Sequence, residues 1–199
     1  MSGALERNAV PLVRSGGLKD AKALAGIYIE TWRSAYPGIL ADKVLLDLSP
    51  ARQEAVWAEV AIRGGNSILL VSEDETGAVA GFVSAGPARP RVPGYRGEIY
   101  TLYVDQDRQD RGHGRALLRA ALDALAGRGL APANLWVLAE NPARFFYERL
   151  GGSIVGRRQD RLGGQEHDEI AYGWDDPTGA TASAGTARPA RPNPIKVRP

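Results

Sequence analysis

Apolar positions recur along the chain with two periods, and the points where one gives way to the other mark out its elements. "AVPLVRSG" reads as a short strand. In "LKDAKALAGIYIETWRSAY" the residues Leu24, Ile27, Tyr28 and Thr31 fall on one helical face, with Asp20 near the start. "YPGILADKVLLDLSP" is a connection with a short helical piece, and "SPARQEAVWAEVAIRG" opens on a Ser-Pro start signal and closes on a Gly pair, which makes it a second helix.

"NSILLVSEDETGAVAGFVSAGPA" has two apolar runs joined by an acidic Thr-Gly turn, an antiparallel hairpin pattern. "RGEIYTLYVDQ" follows as a strand, and "GRALLRAALDALAGRG" carries Leu117, Leu118, Ala121, Leu122 and Leu125 at helical spacing. Then come the strand "ANLWVLA", a helix "NPARFFYERLG" begun by Asn141 with Pro142 in its first position, and a hairpin "GSIVGRRQDRLGGQEHDEIAYGW" turning at Gly163-Gly164. The order is strand, two helices, three strands, helix, strand, helix, two strands. It predicts an α/β or α+β domain with one central sheet and no internal repeat.

Composition narrows this to one fold. At 199 residues and 44% hydrophobic, the chain can bury a single sizeable core, which we place in residues 8–175. There is no cysteine, which excludes disulfides, thiolate metal sites and a cysteine acyl-enzyme, and with only His113 and His167 no metal site is expected. His167, beside Glu166 and Asp168, reads as part of a solvated turn. No stretch approaches the roughly 18 apolar residues of a membrane span, and the N-terminus lacks an apolar signal core. A cytoplasmic protein with no membrane partner is the expectation.

The basic balance belongs to the end of the chain. Residues 177–199 hold Arg188, Arg191, Lys196 and Arg198 and no acid, so the remainder of a chain of formal charge +2 stands at −2. The body is therefore not a basic nucleic-acid-binding surface, and residues 176–199, rich in Pro and Ala, read as a disordered basic tail. A weak anchor to RNA, anionic lipid or an acidic partner is the alternative reading of that tail.

The candidate chemistry lies where the third strand of the middle group hands over to a helix, at "RQDRGHGRALL". The first N–H groups of a helix lack intrahelical acceptors and the dipole adds positive potential there, so such a junction suits phosphate. Gly112 and Gly114 remove Cβ atoms and permit positive φ, which lets backbone N–H groups converge, with Arg111 and Arg115 adding charge at the rim. A Walker loop would need Lys followed by Ser or Thr after the second glycine, and a dinucleotide fingerprint would need Gly or Ala where Leu117 stands. Neither fits.

What fits is Gln109-Asp110-Arg111-Gly112-His113-Gly114, which resembles the Gln/Arg-x-x-Gly-x-Gly/Ala acetyl-CoA signature of the GCN5-related N-acetyltransferase superfamily. The preceding strand "EIYTLYVDQDR", the later segment "ENPARFFYERLG" and the strand order resemble that family too, from about Val10 to Trp174. One departure is Gly152, where the family often has Phe, which would thin the local core.

The resemblance implies a central mixed, mostly antiparallel sheet of about seven strands flanked by about four helices, and acetyl transfer from acetyl-CoA to a primary amine without a metal. It implies that backbone N–H groups of Gln109, Asp110, Arg111, Gly112, His113, Gly114 and Arg115 hold the pyrophosphate. Leu102, Tyr103 and Val104 would pair with the pantetheine arm, and Asn141 would contact it. It makes Tyr147 the general acid and Glu98 the base, which burial would make more effective. It also puts Trp32 and Tyr36 along the acceptor cleft, with Glu30 or Asp42 able to attract a cation. Each has a plainer reading: a salt-bridged glutamate for Glu98, core aromatics for Tyr147, Trp32 and Tyr36, a helix cap for Asn141. The His113 side chain is expected to face solvent or the CoA phosphates. Direct attack in a ternary complex on a small-molecule or peptide amine, with a homodimer allowed, is the expected activity; an acyl-CoA sensor without turnover is the alternative.

Overall fold

The computed structural model describes residues 10–63, 65–89 and 92–175, so the basic tail lies outside the described residues. Seven strands form one sheet in the order β1-β2-β3-β4-β5-β7-β6: β1 Leu12–Ser15, β2 Ile68–Glu73, β3 Val79–Pro87, β4 Gly97–Val104, β5 Ala133–Leu138, β6 Ser153–Leu162 and β7 Gln165–Trp174. Every pairing is antiparallel except β4 with β5. That parallel pair needs a crossover, which the amphipathic helix α4 (His113–Gly127) supplies.

Helices lie on both faces. α1 (Ala21–Ala35) and α3 (Pro50–Ile62) cover β2–β4 on one side, joined by the five-residue α2 (Asp42–Leu46), while α4 and the short α5 (Arg144–Arg149) cover the other. Ser49 caps α3 through Arg52 N–H with Pro50 at the first turn, as its Ser-Pro signal predicts. The α1-side core is largely aromatic: Tyr28, Trp32, Tyr36, Trp57, Phe82 and Tyr103 interlock with centroid separations of 4.7 to 6.1 Å. Contacts of this kind contribute about 0.5–1.5 kcal/mol each beyond burial. Arg14 on β1 donates to both oxygens of the buried Asp20 at 2.8 and 2.9 Å and ties the edge strand to the start of α1.

The feature that positions the site is a fork in the sheet. β4 and β5 pair only from Gly97↔Ala133 to Ile99↔Leu135, although both strands continue. Just past the last pair, β4 carries a bulge, because Ser84 and Ala85 of β3 face Thr101 and Ile99 and leave Tyr100 as the extra residue. A bulge bends its strand and increases local twist. β4 then follows β3, β5 follows β7, and a wedge opens between Leu102–Val104 and Trp136–Leu138.

Candidate active site

Two strand edges without a ladder partner border the wedge, and such edges can receive an extended amide-bearing chain as an added strand. Leu102, Tyr103 and Val104 supply the β4 edge; their side chains are buried in the two cores, so the backbone is what they offer.

The loop after β4 leads into α4. After the single turn Gln106–Arg108, Asp110 and Gly112 take positive φ of 63° and 89°, which turns the chain into α4. Ala116 N–H is the first to close on the helix start, at Gly112 O, 3.0 Å, so the N–H groups of His113, Gly114 and Arg115 have no i−4 acceptor. That end fits a pyrophosphate. The loop is braced from outside: Arg108 bridges Asp74 and Asp105, and Gln109 Nε2 donates to Val104 O at 3.3 Å. The Gln109 side chain thus holds the loop to the strand, while Arg111 and Arg115 stay exposed at the rim.

Of the two expectations for the His113 side chain, exposure to solvent is overturned. The residue is 4% exposed, facing inward, because the inward stripe of α4 runs back from Leu117 by one turn. The i−4 spacing from Leu117 was the available signal, obscured by flanking glycines that read as loop. Gly114, four before Leu118, lies on the same stripe, and a Cβ there would stand 3.1 Å from Phe146 Cζ.

Tyr147 is 1% exposed on the α4 side, edge-on to Phe146 and Trp174. Burial pushes its pKa well above the usual range, with Tyr36 adding to the shift. Tyr36 belongs to the α1-side core, so the two phenols influence each other across the sheet, as the open wedge permits. Burial also raises Tyr36, opposed by a hydrogen bond with Asn141. Asn141 additionally accepts from Ala143 N–H at 2.9 Å, which caps the turn before α5; that helix begins at Arg144, later than its Asn-Pro signal indicates. Trp32 stacks on Tyr28 and donates from Nε1 to Tyr103 Oη at 3.0 Å. Trp32 and Tyr36 are both nearly inaccessible, so their packing accounts for them here and neither forms an open wall.

Glu98, 1% exposed, stands on β4 just before the split. Arg89 surrounds it: Nε donates to Oε1 at 2.9 Å, Nη2 donates to the same oxygen, and the Arg89 backbone N–H donates to Oε2 at 2.9 Å. Burial therefore comes with a counter-ion, unlike the uncompensated burial expected of a base. Glu98 opens onto a small recess, with a free volume of about 20 Å³, that is also lined by Trp136, Arg158, Asp160 and Glu169. Arg158 donates to Glu169 at 2.6 and 2.7 Å and lies 4.0 Å above the Trp136 ring. The sequence reading missed these residues because "GRRQDRLGGQEHDE" looks like a solvated hairpin. Strand phase was the signal: Glu169 shares a face with Ala171 and Gly173 and begins the buried half of its strand.

Glu30 and Asp42 are exposed and take no part in the recess. Among the described residues no group of three or more His, Cys, Asp or Glu side chains is placed to hold a metal, and no helix is long and apolar enough to cross a membrane.

Comparison with known proteins gives a consistent set. The sequence model of the acetyltransferase (GNAT) family matches residues 26–152. The chain is 33% identical over 164 residues to the uncharacterized N-acetyltransferase YuaI of Bacillus subtilis, covering 82% of this chain and 92% of that one. It is 29% identical over 147 residues to an L-methionine sulfoximine/L-methionine sulfone acetyltransferase of Pseudomonas aeruginosa, covering 73% and 81%. Among solved structures, yncA of Salmonella typhimurium, solved with its cofactor acetyl-CoA, superposes with a TM-score of 0.63 at 22% identity over 92% of this chain and 99% of that one.

Proposed function

The chain belongs to the acetyltransferase (GNAT) family, and from that premise we propose that it transfers the acetyl group of acetyl-CoA to the primary amine of a bound acceptor by direct attack. The observation that carries this is the wedge between β4 and β5, with the acceptor-free N–H groups of α4 after one edge and the charged recess beside Glu98.

In this reading the N–H groups from Asp110 to Arg115 take the pyrophosphate, that of Gln109 being already bonded to Gln106 O at 3.3 Å, contrary to its expected part in the cradle. The β4 edge at Leu102–Val104 takes the pantetheine arm, with Asn141 across the wedge. The donor thus reaches the chemistry from the α4 end. The acceptor enters from the recess and gives a proton to Glu98. Its nitrogen forms a bond to the acetyl carbon as the carbon–sulfur bond breaks, and Tyr147 supplies a proton to the departing thiolate. An ammonium acceptor loses two protons from nitrogen; sulfur gains one and solvent the other. Tyr147 carries its proton across the neutral range, as an ordinary phenol does, and burial raises its pKa further.

One observation favours a second reading, an acyl-CoA-binding module without turnover: both oxygens of Glu98 already accept from Arg89. Thiol release from acetyl-CoA with a panel of amines separates the two. Amine-dependent release supports the transferase, whereas calorimetric binding of acetyl-CoA with release no faster than hydrolysis supports the module. No binding at all would sink both.

A further inference from the structure

The recess beside Glu98 has a charge arrangement that transfer to an unspecified amine does not explain. Four neighbouring strands contribute to it: Glu98 from β4, Trp136 from β5, Glu169 from β7, and Arg158 and Asp160 from β6, joined by Arg89 after β3. Its ions are paired: Arg89 with Glu98, and Arg158 with both Glu169 and Asp160. The Glu98 and Glu169 side chains are nearly sealed from water, while Arg89 is 46% exposed and lies over the Tyr100 ring at 5.0 Å. Arg89 is therefore the ion with room to change partners.

A simple cationic amine that reached Glu98 would displace the Arg89 guanidinium and leave it without its counter-ion. Glu98 is sealed from water and Arg89 is the half-exposed partner, so the displacement costs the guanidinium its charge-assisted hydrogen bonds. A ligand with an ammonium and a carboxylate on one carbon avoids that cost. Its ammonium takes the Glu98 oxygens and its carboxylate takes the guanidinium, so every charge keeps an opposite neighbour. The Arg89 backbone N–H can stay on Glu98 throughout.

Size sets how a ligand enters. With the Arg89 guanidinium in place the recess has a free volume of about 20 Å³, room for about one water, so a ligand enters only as that side chain swings outward. Beyond Asp160 the β6–β7 turn crosses to α2, where Val44 Cγ2 lies 2.8 Å from the place a Cβ on Gly163 would take, and Leu162 packs into the α1-side core. That contact ties the end of the β6–β7 hairpin to α2.

We propose that the acceptor is a free α-amino acid whose ammonium and carboxylate exchange into the Arg89–Glu98 ion pair. The exchange removes the guanidinium from Glu98 as the amine arrives, so the carboxylate becomes available to take a proton only with the acceptor in place. This inference rests on the transferase reading of the same site, and its test separates the two.

Thiol release from acetyl-CoA is measured for free L-amino acids, each beside its decarboxylated amine and its carboxamide. The free acids should lead by about 10- to 100-fold in kcat/KM, the range of a charge-assisted contact. Arg89→Met should bring that ratio toward one and Arg89→Lys should retain part of it, with melting curves and acetyl-CoA calorimetry confirming folded variants. If Arg89→Met does not fold, the wild-type ratio of acid to carboxamide decides alone. Amines or carboxamides turned over as fast as the free acids would overturn the inference and leave the transferase standing. Binding of acetyl-CoA with no amine of any class acetylated would overturn the transferase reading, and the amino-acid acceptor with it.

Discussion

Trp174 fills the space that Gly152 leaves open. Its Cζ2 lies 2.9 Å from the position of a Cβ on residue 152, Tyr147 O lies 3.0 Å from the same point, and the indole N–H donates to Leu150 O at 2.9 Å. The ring arrives from the end of β7, so the core behind Tyr147 is filled where a missing Phe was expected to thin it. Gly152→Phe should therefore overpack the site and cost about 1–3 kcal/mol, and Trp174→Ala should leave a cavity costing about 3–5 kcal/mol. Because the two occupy one space, the double variant should cost less than the sum of the singles in urea denaturation. Additive losses would mean that the residues are not exchanging volume.

Tyr147→Phe should lower kcat about 100-fold while acetyl-CoA affinity, read by calorimetry, stays near that of the parent. The hydroxyl is the only group removed, and the ring contacts with Phe146 and Trp174 remain. Since burial holds the phenol proton well above the ordinary range, the alkaline limb of the parent's rate profile should not report this residue. Unchanged turnover in the variant would remove the acid assignment.

At the loop, Gly112→Ala forces an alanine to φ 89°, a conformation costing a Cβ-bearing residue about 1–2 kcal/mol, and should weaken acetyl-CoA about tenfold by turning N–H groups off their target. Gly114→Val should act differently. Its side chain runs into Phe146, already 3.1 Å from the Cβ position, so lost thermal stability should accompany lost affinity. Equal affinity in the parent and both variants, measured by calorimetry, would argue against this loop as the phosphate cradle.

The elements were legible because each carries a local signal. The α1 stripe through Leu24, Ile27, Tyr28 and Thr31, the Ser49-Pro50 start and the Gly163-Gly164 turn all stand where periodicity and turn chemistry predict. The loop was legible in part: Gly112 answers to a positive φ, whereas Gly114, also expected to need one, lies within α4 and is kept small by Phe146. The recess was not. Arg89 reaches Glu98 from another segment, and Arg158 faces Glu169 only because β6 and β7 pair in that register, so the partnerships exist in the sheet rather than in any short stretch of chain. Trp32 illustrates the converse: a face that suits a cleft wall equally suits a core, and what covers it is settled by Tyr28 and Tyr103.

His113 provides a pH test of the inward turn of α4. Burial lowers its pKa from the usual 6.5; Asp74 and Glu75 oppose that shift, while Arg111 and Arg108 reinforce it. Its Nδ1 is buried without a hydrogen-bond partner among the described residues. The folded state thus holds the imidazole neutral at pH values where the unfolded chain takes up a proton. Stability rises with pH wherever the unfolded state binds more protons, so this contribution is complete above about pH 6.5 and is lost as pH falls toward the depressed folded value. Asp20, whose carboxyl Arg14 holds below its usual 3.8, loses its contribution only at more acidic pH, so the window from 7.5 to 5 isolates the histidine from that pair. Urea denaturation of the parent and of His113→Gln across this window should give a stability difference that shifts toward the variant as pH falls. A difference that stays constant would place the imidazole in contact with water and return His113 to the loop surface.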